Sequence, residues 1–103
     1  MQPFMKVVRE VVEERIKQDA KWGEQNHPDG TGHNWQWMAD TKRKLCQEAF
    51  ADGDGAWMHI LVEEVYEAFA EDDPVKLRAE LIQVAAVAVA WVEAIDRRKK
   101  GTP

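Results

Sequence analysis

Residues 60–71, ILVEEVYEAFAE, and residues 77–92, LRAELIQVAAVAVAWV, decide the fold. On a helical wheel, Trp57, Ile60, Leu61 and Ala68 fall within about 60° of Glu64, and Glu67 and Glu71 fall there too. The second stretch behaves alike: Leu77, Val84, Val87 and Trp91 lie within about 60° of Glu80, with Gln83 at that boundary. Both stretches therefore carry the helical period, and each sets a carboxylate inside its own apolar face. Glu63 lies at the edge of its stripe and is easier to leave in water.

Working outward, the same period recurs along the chain. Phe4, Val7, Val8, Val11, Val12 and Ile16 predict a helix from Pro3 to about Trp22, with Pro3 suited to a first turn. Residues 23–33 hold three glycines and a proline, which break helix and strand alike and predict a long loop. A second helix is expected from near Asn34 to about Ala51, carrying Trp37, Met38, Leu45, Ala49 and Phe50, followed by a break at residues 52–55, Asp-Gly-Asp-Gly. The third helix is expected from near Ala56 to around Asp72. Pro74 opens the fourth, with Asp73 as its cap, and that helix runs to about Arg98. Its centre is apolar nearly all round, which predicts an element surrounded by other helices. The basic run Arg97, Arg98, Lys99, Lys100 sits at its C-terminal end, where cations favour the helix dipole. No strand alternation and no internal repeat is evident, so the expected class is all-α, one domain over residues 1–103.

Composition narrows the function classes. The 103 residues are 45% hydrophobic and 32% charged, ordinary for a globular domain and too apolar for disorder. A net charge of −5 argues against nucleic acid as a partner, since phosphate backbones demand a basic surface. Cys46 is the single cysteine, which excludes an intrachain disulfide and suits a reducing compartment. Met1–Glu10 has no signal-like apolar core, and Val84–Val92 is too short to span a bilayer. The expectation is a soluble, cytoplasmic protein without a membrane partner.

Inward carboxylates must be neutralised, paired or bound to a cation. One account is a set of buried ion pairs, with Lys42, Arg43, Lys44 or Arg78 reaching inward, or protonated carboxylates with raised pKa. The other is a hard divalent cation held by oxygen ligands from facing helices. Spacing favours the cation: Glu64 and Glu67 are three residues apart, as are Glu80 and Gln83, so each pair shares one side of one turn.

Glu63-Glu64-x-x-Glu67, followed by Glu80-x-x-Gln83 on the next helix, resembles the signature of the MazG-like all-α nucleoside triphosphate pyrophosphohydrolases: Glu-Glu-x-x-Glu, then Glu-x-x-Asp one helix later. The likeness covers roughly residues 60–91, and residues 15–32 resemble the N-terminal part of small phage and actinobacterial members. The resemblance implies a four-helix bundle completed by dimerisation, as homodimer or homotetramer, acting in the cytoplasm (the host's, for a phage protein). It implies hydrolysis of (d)NTPs to the monophosphate and pyrophosphate with Mg²⁺, or Mn²⁺ in its place. Carried over by position, the metal ligands are Glu64, Glu67, Glu80 and Gln83. Gln83 departs from the family's aspartate, offering a neutral carbonyl oxygen and one negative charge fewer.

A carboxylate not fully engaged with metal, Glu63 or Glu67, is the candidate general base for attack of water on phosphorus. Lys42, Arg43 and Lys44 of the second helix, or Lys21 and Arg78, would meet the polyphosphate. Trp22 and Trp35, with Trp37, flank the loop whose Gln25, Asn26, His27 and Asn34 supply donors and acceptors for a nucleobase. The bland account of the same residues is that tryptophans complete a small core and asparagines cap turns. His27, His33, Cys46 and His59 lack paired zinc spacing, and residues 52–55 lack the later ligands of a calcium loop. Two other functions compete with hydrolysis: a nucleotide-binding or dimerisation module of the same fold, weakened by Gln83, and a small bundle whose acidic third helix meets a basic protein.

Overall fold

The computed structural model describes residues 2–99. Four α-helices, α1 (Phe4–Trp22), α2 (Gln36–Ala51), α3 (Trp57–Phe69) and α4 (Pro74–Lys99), are joined by a single 3-10 turn at His33–Trp35 and by loops. No strand occurs among the described residues, so the chain is all-α, as its periodicity predicts. Lys100, the last residue of the basic run, lies outside the described residues.

Each boundary has a local chemical cause. Gly23 ends α1 at φ 67°, a left-handed conformation that glycine adopts without strain, and its N–H donates to the Asp19 carbonyl at 2.8 Å. α2 winds down through residues 52–54, where the Asp52 N–H donates to the Glu48 carbonyl at 3.0 Å and the Asp54 N–H to the Ala49 carbonyl at 2.8 Å. At the start of α3 the Ala56 N–H donates to Nδ1 of His59 at 3.1 Å, which engages that imidazole in capping. α3 stops at Phe69, short of the expected Asp72. The chain must leave helical geometry before Pro74, whose ring crowds the residue in front of it. Asp73 then caps α4: its Oδ1 accepts from the Val75 N–H at 3.2 Å. Asp73→Ala is expected to cost about 1 kcal/mol in urea unfolding, while Asp73→Asn, which keeps the acceptor, stays near wild type.

The chain divides into two compact units. One comprises the residues up to Asp29 and those from Val89 onward; the other is Gly30–Ala88. In the first, Val7 of α1 is buried, beside a cleft lined in part by Lys6, Glu93 and Asp96. Val11, Val12 and Ile16, predicted members of the same apolar stripe, are exposed. In the second, α2 and α3 pack directly against each other, and Ala39, Cys46, Ala68 and Leu77 form the buried core. Ala39 and Cys46 are seven residues apart and share one face of α2.

The expectation that other helices surround the centre of α4 is not met within a single chain. Leu81 is 50% exposed and Ile82 58%, and Ala85 and Ala86 are exposed as well. Within residues 30–88, α4 buries Leu77 and half-buries Glu80, Val84 and Val87, one stripe of a helix that is apolar on more sides than that. No helix among the described residues is long and apolar enough to cross a membrane.

Candidate metal centre

Within residues 30–88 three carboxylates come together. Glu64 and Glu67 from α3 and Glu80 from α4 each offer one oxygen, and these oxygens lie within 4.8 Å of one another. All three residues are half-buried. Oε2 of Glu64 and Oε2 of Glu80 are buried and have no hydrogen-bond partner among the described residues. These are the two residues that the helical wheels place inside apolar faces.

The ion-pair account fits one carboxylate of the three. Nε of Arg43, from α2, lies 3.5 Å from Oε1 of Glu67, and its Nη1 lies 3.1 Å from Oδ1 of Asp40. Among the described residues no basic side chain lies within ion-pair distance of Glu64 or Glu80. Burial pushes the Glu64 carboxyl above the ordinary carboxylate range, and the charges of Glu67, Glu80 and Glu63 push it further. Glu67 is raised too, by burial and then by Glu63 and Glu80, with Arg43 pulling the other way. Like charges with a buried, unpartnered oxygen on each helix are costly unless a proton or a cation joins them. Carboxylate oxygens from facing helices suit a hard divalent ion.

Glu63 stands apart from the cluster. It is half-buried rather than free in water, and its carboxylate faces the Cys46 thiol. Burial and that neighbour push the thiol up to about 11, so Cys46 is the inert core thiol expected from its apolar flanks.

A cleft of about 270 Å³ opens beside the carboxylates, lined by Gln36, Ala39 and Arg43 of α2, by Glu67, Ala70 and Glu71, and by Glu80. Ala39 and Ala70 leave the room, and Arg43 supplies the cleft's one cationic group. Sequence reasoning named Arg43 only among several bases; that it meets Glu67 depends on how α2 docks on α3, which no spacing along the chain reveals.

The aromatic residues fall elsewhere. Trp35 packs on Tyr66 at 6.4 Å and on Phe69 at 5.9 Å between ring centroids, and Tyr66 meets Phe69 at 5.4 Å. Tyr66 lies about 160° round α3 from Glu64, so this cluster faces away from it. Trp35 is therefore a packing residue within residues 30–88, as the bland account has it, and not a wall of the carboxylate cleft. The Lys42 ammonium sits over the same cluster, 5.6 Å from the Tyr66 ring. Tyr66 and Phe69 were legible only as a three-residue spacing on one helix face. The loop is tied in by Gly32, whose N–H donates to the Phe69 carbonyl at 2.8 Å. Gly32 is buried at φ 156°, and a Cβ there would meet Oδ1 of Asn34 at 3.1 Å.

Within residues 30–88, Arg78 and Gln83 are not brought to the cluster. Arg78 is exposed and lies about 160° round α4 from Glu80. Gln83, one turn beyond Glu80, is also exposed. Lys21, Trp22, Asn26 and His27 belong to the other unit and are exposed there. The Lys21 ammonium lies 4.8 Å from the Trp22 ring, and the Asn26 amide donates to Glu24 at 3.1 Å. Compared with family models, curated proteins and solved structures, the chain matches none.

Proposed function

We propose that this chain is a Mg²⁺-dependent nucleoside triphosphate pyrophosphohydrolase of the MazG-like kind, with Glu64, Glu67 and Glu80 holding the cation. One observation carries the reading: three carboxylates from two helices offer oxygens within 4.8 Å of one another, and two of them hold a buried oxygen with no hydrogen-bond partner among the described residues. Mg²⁺ or Mn²⁺ held there would neutralise phosphate charge and activate water for attack. Glu67 in the cluster, or Glu63 outside it, would take the proton from the attacking water. Gln83 lends a carbonyl oxygen at most. Lys21, Trp22, Asn26 and His27 remain candidates for nucleotide recognition, and the exposed apolar surface of α4, with Leu81 and Ile82, suits a homodimer or homotetramer. The cytoplasm is the compartment this chemistry implies.

The test is direct. Incubated with each dNTP and NTP plus Mg²⁺, the protein is expected to release pyrophosphate from at least one. Absence of turnover with all of them, but Mg²⁺-dependent thermal stabilisation by one, would establish a second reading, a nucleotide-binding module. The neutral, exposed Gln83 is the feature that favours it.

A further inference from the structure

We propose that Arg43 is a resident counter-ion of the carboxylate centre, standing against Glu67 until a divalent cation displaces it and retiring to Asp40 when that happens. The inference rests on the cation-binding reading above and assigns a positioning residue to that same site. Its guanidinium bridges two carboxylates on different helices: Nε is 3.5 Å from Glu67 on α3, and Nη1 is 3.1 Å from Asp40 on its own helix. The longer, weaker contact is the one to the proposed ligand. The shorter one is to a carboxylate outside the cluster, 59% exposed, which would keep Arg43 satisfied once it leaves Glu67.

A dication seated among Glu64, Glu67 and Glu80 and a guanidinium against Glu67 repel each other, so the two compete for one carboxylate. The Arg43 side chain is 40% exposed and borders the open cleft, so it can move without disturbing the core. Asp40 is itself steadied by the Gln36 amide, which donates to Oδ1 at 3.0 Å. The arrangement lowers the charge of the centre when no cation is bound and sets a threshold for cation entry.

Mn²⁺ affinity, read by electron paramagnetic resonance on the full chain without nucleotide, tests this. Arg43→Met removes the competitor and is expected to tighten Mn²⁺ binding by up to about fivefold, the scale of a partly exposed ion pair. Asp40→Asn removes the retreat and is expected to weaken it, about twofold. The double variant is expected to match Arg43→Met, because Asp40 acts only through Arg43. If wild type binds Mn²⁺ and Arg43→Met binds it equally or less tightly, the counter-ion role is overturned while the cation site stands. If wild type binds no Mn²⁺, both fall.

Discussion

Glu64→Ala and Glu80→Ala are each expected to lower Mg²⁺-dependent pyrophosphate release by at least about 100-fold, measured with saturating nucleotide. The expectation follows from where the two side chains sit. Each contributes a buried oxygen without a hydrogen-bond partner among the described residues, so each can serve as a ligand. Removing either takes away one of the three charged oxygen ligands and one negative charge, so the ion is held more weakly and is less well placed against the phosphates. Exposed Glu13, on α1, provides the control, and Glu13→Ala is expected to leave release unchanged. Equal activity of Glu64→Ala and wild type would sink the proposed metal centre.

The second large effect concerns stability and its sign. Glu64 and Glu67 titrate above their ordinary value of 4.5 in the folded chain. A raised carboxyl pKa means that folding favours the protonated form, so its contribution is fully present below about 4.5 and is lost as pH rises through the folded value. With a chelator present, Glu64→Gln is therefore expected to melt higher than wild type near pH 7, and the difference is expected to vanish below pH 4.5. Adding Mg²⁺ reverses the order. At a hundred times its Kd the ion stabilises wild type by about 2.7 kcal/mol. That corresponds to a rise of about 10 °C in Tm for a domain of this size, which Glu64→Gln lacks in large part. A Tm for wild type that ignores both chelator and Mg²⁺ would remove the physical basis of the site.

The helices were legible because their causes are local. Pro74 and Asp73 announce the start of α4, Gly23 ends α1, and the apolar period runs between such marks. The inward carboxylates were legible for a related reason: on a helix, spacing along the chain is direction in space, so Glu64 and Glu80 betray themselves against Trp57, Ile60, Val84 and Val87. Trp35 was not legible in this way. Its 3-10 turn is too short to show a period, and its partners Tyr66 and Phe69 are more than thirty residues away. Arg78 fails for the opposite reason, since two residues from Glu80 is near in sequence and almost opposite on the helix.

By itself, then, the sequence determined that this is an all-helical chain with a carboxylate misplaced in the apolar face of each of two consecutive helices. Periodicity and capping are one-dimensional signals, and they suffice for that. Only the tertiary structure decided that Glu64, Glu67 and Glu80 meet, that Arg43 is the base which reaches Glu67, and that the tryptophan beside α2 packs away from them. Those are matters of how one helix is rotated and docked on another, which depends on the summed shape of many small contacts such as Ala39 and Ala68 and leaves no mark at any single position.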